Sequence, residues 1–132
     1  MPTHSSYDYA IVRVVPRVER EEFINAGVIV SCQKLDFLDA RIELDEQRLL
    51  VLDPGVDIDS VRTNLGSIPL ICAGGPAAGP IGRLSPRERF HWLVAPRSTI
   101  IQMSSVHTGR ASEPAQALEH LLKTMVRAPG PR

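Results

Sequence analysis

Apolar and polar positions change rhythm several times along this chain, and each change marks an element. Residues 7–15 are rich in β-branched and aromatic side chains and stop at Pro16, the pattern of a strand closed by a residue without an amide donor. Alternation puts Tyr7, Tyr9, Ile11, Arg13 and Val15 on one face and Asp8, Ala10, Val12 and Val14 on the other. Both faces are largely apolar, which predicts a central strand. A charged turn with a short helical piece, RVEREEF, leads to a second strand over residues 27–32. Residues 37–44 predict a third, with Leu38, Ala40, Ile42 and Leu44 inward and Asp39, Arg41 and Glu43 outward, as in a sheet with one wet face. Short links between the three predict an antiparallel meander.

From residue 45 the period becomes helical. Residues 45–52 predict a short helix ended by Asp53-Pro54-Gly55. Asp57 is placed to cap a longer helix in which Ile58, Val61, Leu65 and Ile68 recur at helical spacing, with Pro69 expected to end or kink it. AGGPAAGPIG, residues 73–82, reads as a loop. Ser85-Pro86-Arg87-Glu88 is a helix start, with serine as cap, proline at the first helical position and the acid of a capping box. Pro96 limits that helix, and residues 98–103 predict a fourth strand. A last helix over residues 113–126 carries Ala115, Leu118, Leu122 and Met125 as its stripe, widened by Leu121 and Val126, with Glu119 and Lys123 spaced for an i,i+4 pair. The expected fold is α+β: a small, mainly antiparallel sheet of about four strands with helices packed on one face. The 132 residues make one domain, with residues 1–6 and 128–132 expected as flexible tails.

Composition narrows the class of function. Apolar content of 43% and charged content of 23% are ordinary for a globular domain. A formal net charge of zero and few aromatic residues argue against nucleic acid as a partner. The charges are nonetheless segregated. Residues 35–59 hold eight acids and two arginines, whereas residues 83–110 hold five arginines and one acid, Glu88. The opening MPTHSSYDYA shows no basic region followed by an apolar one, and no apolar run approaches the ~20 residues that span a bilayer. Cys32 and Cys72 lie in apolar runs, where free thiols behave as small hydrophobes. Together these predict a cytoplasmic protein without membrane association.

Candidate chemistry concentrates in residues 83–110. Arg83, Arg87, Arg89, His91, Arg97 and His107 are the candidate binding residues for an anion or an acidic partner. Arg87 and His91 share a helix face, Arg83 precedes the cap and Arg97 follows the helix. Forked guanidinium donors fit carboxylate or phosphate. The competing reading has Arg87 and Arg89 solvated, with Arg97 paired to the acidic block. In the glycine-rich loop Gly82 is followed by Arg83-Leu84, not by the lysine and hydroxyl residue of a phosphate loop. No HExxH or short His/Cys spacing marks a metal. Nothing selects a nucleophile among Ser98, Thr99, Ser104, Ser105 and Thr108. No catalytic residue, metal or cofactor is therefore assigned.

YDYAIVRVVP, EEFINAGVIV, FLDARIEL, ERFHWLVAPRSTIIQ and SVHTG, in this order over residues 7–126, resemble the bacterial domain-of-unknown-function family 3037 (DUF3037). That family has no assigned activity and transfers no residue roles. Its members are often encoded beside a HipA-like serine/threonine kinase, so the resemblance implies a small partner or regulator of such a kinase. Two functions follow as expectations. One is a non-enzymatic binding or regulatory protein that meets a protein partner through its arginine-rich segment. The other is an enzyme or ligand-binding domain for a phosphorylated or carboxylated small molecule, with Arg87 and Arg97 clamping the anion and His91 or His107 as general acid or base. A homodimer in which opposed charge blocks face each other is a further expectation.

Overall fold

The computed structural model describes residues 3–97 and 99–130. Five strands, β1 (Ser5–Val14), β2 (Ile24–Cys32), β3 (Phe37–Ile42), β4 (Ile101–Met103) and β5 (His107–Ala111), form one antiparallel sheet. The order is β3-β2-β1-β4, with β5 also paired to β1. The first three strands are the expected meander, and β1 is central. One edge of β1 pairs with β2; the other pairs with β5 along Ser5–Tyr9 and with β4 along Val12–Val14. Ser104 fills the gap between β5 and β4. Its hydroxyl accepts from the Ile11 amide at 2.8 Å, and its own amide donates to the Ile11 carbonyl at 2.9 Å. That candidate nucleophile is thus a sheet joint.

The fifth strand was not expected, because HTGRA shows no apolar alternation. It forms because the free edge of a buried central strand needs hydrogen-bond partners. Gly109 permits the close approach: a Cβ there would lie 2.5 Å from the Tyr7 ring. The same pairing extends β1 backwards. Ser5 and Ser6, expected in a tail, pair with Ala111 and Arg110, and Ser5 is buried. Ser98 of the fourth predicted strand, and residues 1, 2, 131 and 132 of the predicted tails, lie outside the described residues.

Helices α1 (Glu46–Leu52), α2 (Ile58–Ala73), α3 (Pro86–Val94) and α4 (Pro114–Leu121) complete the α+β fold. Asp45, Asp57 and Ser85 cap the first three, the last in a complete capping box with Glu88. Val12, Val14, Ile29 and Ala40 of the sheet pack against Leu49, Leu65, Ile68, Phe90 and Leu93 from α1 to α3. On the opposite face Ile11, Val28 and Val30 meet Leu118, Leu121, Leu122 and Val126. Helices therefore cover both faces of the sheet, not one. The reason is visible in β1 and β2, which are apolar on both sides and would otherwise leave one apolar face in water.

Two helical details also differ from expectation. α2 runs through Pro69 to Ala73, because Ile68, Ile71 and Cys72 are buried on either side of it. Burying such side chains contributes about 1.5–3 kcal/mol each, against a proline cost of about 3 kcal/mol. Gly74, at φ 74°, closes the helix by donating its amide to Leu70 and Ile71 carbonyls. At the other end of the chain α4 continues as a π-helical turn over Leu122–Val126. The wider turn brings Val126 into the core and leaves Met125 exposed; Ala115, in the first turn of α4, is exposed as well. Glu119 pairs with Arg41 of β3 at 2.8 Å, not with Lys123.

Candidate anion-binding cleft

One face of β1 is divided along its length. Ala10, Val12 and Val14 are fully buried, while Ser6 and Asp8 on the same face are polar. The register sets Ser31 of β2 and Thr108 of β5 on either side of Asp8, and Arg110 beside Ser6. Residues directly opposite each other point to the same face, so these side chains form a polar floor. The capped start of α3 places Arg87 above it. One Arg87 Nη lies 2.6 Å from Asp8 Oδ2, and the other donates to Ser31 Oγ at 3.1 Å. Thr108 Oγ1 donates to Asp8 Oδ1 at 3.0 Å. The guanidinium also lies over the Phe90 ring, 5.2 Å from its centroid. Arg87 and Asp8 are 30% and 22% exposed, so the pair sits at the edge of water.

The cleft above this floor has a volume of about 570 Å³ and is lined by His4, Ser5, Ser6, Asp8, Ser31, Gln33, Lys34, Arg87 and Arg110. No apolar side chain is among them. Gln33 and Lys34 come from a 3-10 turn after β2, closed by Asp36 at φ 52°. Lys34 and Arg110 are exposed and make no ion pair or side-chain hydrogen bond with described residues. Lys34, Arg87 and Arg110 thus stand against one carboxylate, Asp8, whose two oxygens are already engaged. A concave surface with unbalanced positive charge concentrates anions.

Of the six residues expected to bind, Arg87 alone enters this cleft. Arg89 is buried at 8% exposure, donating to the carbonyls of Leu84 at 2.5 Å and Cys72 at 3.2 Å. It ties the end of α2 to the start of α3 and is no surface contact, which corrects its assignment. Arg97 folds back onto α3, donating to the carbonyls of Trp92 (2.7 Å) and Leu93 (3.2 Å) and stacking 4.4 Å from the Trp92 ring centroid. It completes a helix C-terminus and pairs with no acid among the described residues. Arg83 is exposed at a separate cavity bordered by Pro76 and Pro80. His91 is exposed on α3. His107 pairs with Tyr9 and lies 5.3 Å from its ring, on the sheet face that α4 covers. The sheet separates the two histidines, and the acid–base pair with Arg87 and Arg97 is not assembled.

The residues that sequence reasoning missed are His4, Asp8, Lys34 and Arg110. Asp8 carried a legible signal, an acid on the strand face whose other members are Ala10, Val12 and Val14. Arg110 carried none, since its position depends on the register of the unexpected β5.

Five of the eight acids in the acidic block meet arginines. Asp39 meets Arg41 at 2.8 Å, Glu43 meets Arg127 at 2.9 Å, and Glu46 and Asp59 share Arg62 at 2.5 and 3.0 Å. Asp53 lies 3.5 Å from Arg17. These acids raise the affinity of Arg41, Arg62 and Arg127 for their protons. Every one of these arginines lies outside residues 83–110. Both cysteines are free and buried. Burial, aided by nearby Asp39 and opposed by Arg89, pushes the Cys72 thiol up to about 12, so it stays protonated and unreactive. Among the described residues no group of three His, Cys, Asp or Glu could hold a metal ion, and no helix is long and apolar enough to cross a membrane.

Over residues 9–126, nearly the whole chain, the sequence matches the family model described as Protein of unknown function (DUF3037). The chain belongs to that family. No curated protein and no solved structure matches it.

Proposed function

We propose, from this family membership and from the cleft, that the protein is a non-enzymatic binding module that recognises an anionic group on a protein partner. The observation that carries the reading is the charge imbalance in the cleft, where Lys34 and Arg110 are uncommitted and the one acid is already bound. Arg87 is held above the polar floor by Asp8 and Ser31; Lys34 and Arg110 supply long arms that can close on a carboxylate or phosphate. Small-molecule sites are lined mainly by apolar side chains with a few polar groups, whereas every side chain lining this cleft is polar or charged. That contrast favours an acidic segment of a protein over a metabolite. The histidines considered for acid–base work stand away from the cleft, which favours binding over catalysis. The HipA-like kinase implied by the family resemblance is the partner this reading favours, in the cytoplasm.

The test is affinity capture from the native host with tagged wild type and with a Lys34→Gln/Arg110→Gln double variant. Wild type should retain a partner at low salt and release it as salt rises, and the double variant should retain far less. A partner held equally by both proteins, or none held by either, overturns the proposal.

A further inference from the structure

The cleft does not end at Arg110. A second cavity of about 380 Å³ shares both His4 and Arg110 with the first and continues past Tyr7 to Glu113 and His120. Ser6 and Tyr7 are consecutive in β1 and point to opposite faces. Ser6 lines the first cavity and Tyr7 the second, so the two meet around the start of β1 and the end of β5. Arg110 stands at the crossing and reaches both. Positive or protonatable side chains recur along the whole path: Lys34 and Arg87 at one end, Arg110 and His4 at the crossing, His120 at the other end. Against them are Asp8, already bound, and Glu113.

β5 adds a second element. It pairs with β1 along one edge, and its other edge has no strand partner among the described residues. Such an edge presents backbone donors and acceptors to an extended chain. Arg110 belongs to this strand and Ala111 ends it, and both line the second cavity.

We infer that the two cavities form one continuous groove for an extended acidic peptide segment, which crosses at Arg110 and places one anionic side chain near Lys34 and Arg87 and another near His120. This rests on the anion-recognition reading and names the form of its ligand. An extended peptide advances about 3.3 Å per residue with alternate side chains on the same side, so acids spaced along one strand can meet successive cations. A single phosphate or carboxylate would occupy the first cavity alone.

The experiment compares two probes on the full chain by fluorescence anisotropy and NMR titration. The long probe is a labelled acidic peptide long enough to reach both cavities; the short probe is inorganic phosphate. Arg110→Gln should weaken both. Lys34→Gln should weaken both by about threefold, the scale of one solvent-exposed ion pair. His120→Gln should weaken only the peptide, by a similar factor of about three, with the thermal midpoint unchanged because His120 is exposed. If phosphate binds but the peptide ignores His120→Gln, the groove is not continuous and this inference fails while anion recognition stands. If neither probe binds wild type, both fail.

Discussion

Asp39, Glu43, Glu46 and Asp59 each meet an arginine within 3.0 Å, whereas Lys34 and Arg110 on the rim of the cleft meet no acid among the described residues. Both regions are dense in charge. In the first, Arg41, Arg62 and Arg127 arrive from a neighbouring strand position, the next helix and the end of the chain, and each of these four acids is met. In the second, Asp8 satisfies Arg87 alone, and two further cations face water. The difference shows that charge in a segment is not charge available to a partner. Availability depends on what the fold brings opposite, and here it leaves an excess at one place.

Burial grades how much each charge matters to the fold, and substitutions can test that grading from the interior outward. Arg89→Ala should have the largest effect, about 2–4 kcal/mol of lost stability in denaturant titration, since Arg89 is 8% exposed and its loss leaves the Leu84 and Cys72 carbonyls without their donor. A loss below about 0.5 kcal/mol, the range of a surface change, would show that this arginine is no strut. Asp8→Asn should cost about 1 kcal/mol, because the pair with Arg87 is only partly buried. The same change should raise the affinity for inorganic phosphate by removing the one carboxylate of the cleft; weaker binding would mean that Asp8 orients the site more than it opposes anions.

Alkaline pH probes the interior beside the acidic region. With the Cys72 thiol at about 12 in the fold and about 9 when unfolded, the unfolded chain alone loses this proton as pH rises between those values. Stability therefore falls with rising pH, by about 1 kcal/mol at pH 10 from this group. Cys72→Ala should lower stability at neutral pH yet show a flatter decline above pH 9; parallel curves would contradict the assignment. The smallest effects should come from the surface. Arg62→Gln and Arg127→Gln should barely move the unfolding midpoint, as exposed pairs seldom do. Lys34→Gln and Arg110→Gln should be as silent in stability while reducing anion binding, which separates the free cations from the paired ones by function.

Much of the fold was legible because its signals are local. The meander β1–β2–β3 follows from alternation and short links, and the caps at Asp45, Asp57 and Ser85 follow from side chains that satisfy amides three residues ahead. Pro69 misled because a local cost was weighed without the burial of Ile71 and Cys72 that offsets it. The site was less legible. Residues 83–110 contain Arg87 and Arg110, but proximity in sequence also gathered Arg89, Arg97, His91 and His107, which the fold sends inward, onto a helix end, or to opposite faces of the sheet.

By itself the sequence determined the α+β class, the central place of β1, the helix starts, the two inert thiols and the family. Each is written in periodicity, in capping chemistry or in collinear blocks of residues. Tertiary structure decided that β5 exists, that helices cover both faces, and that Asp8, Arg87, Lys34 and Arg110 meet. These depend on contacts between residues 26 to 104 positions apart in the chain, such as Ser6 with Cys32, Arg87 with Asp8, and Arg110 with Ser6. No local window contains both partners of such a contact, so only burial and hydrogen bonding across the assembled sheet could choose them.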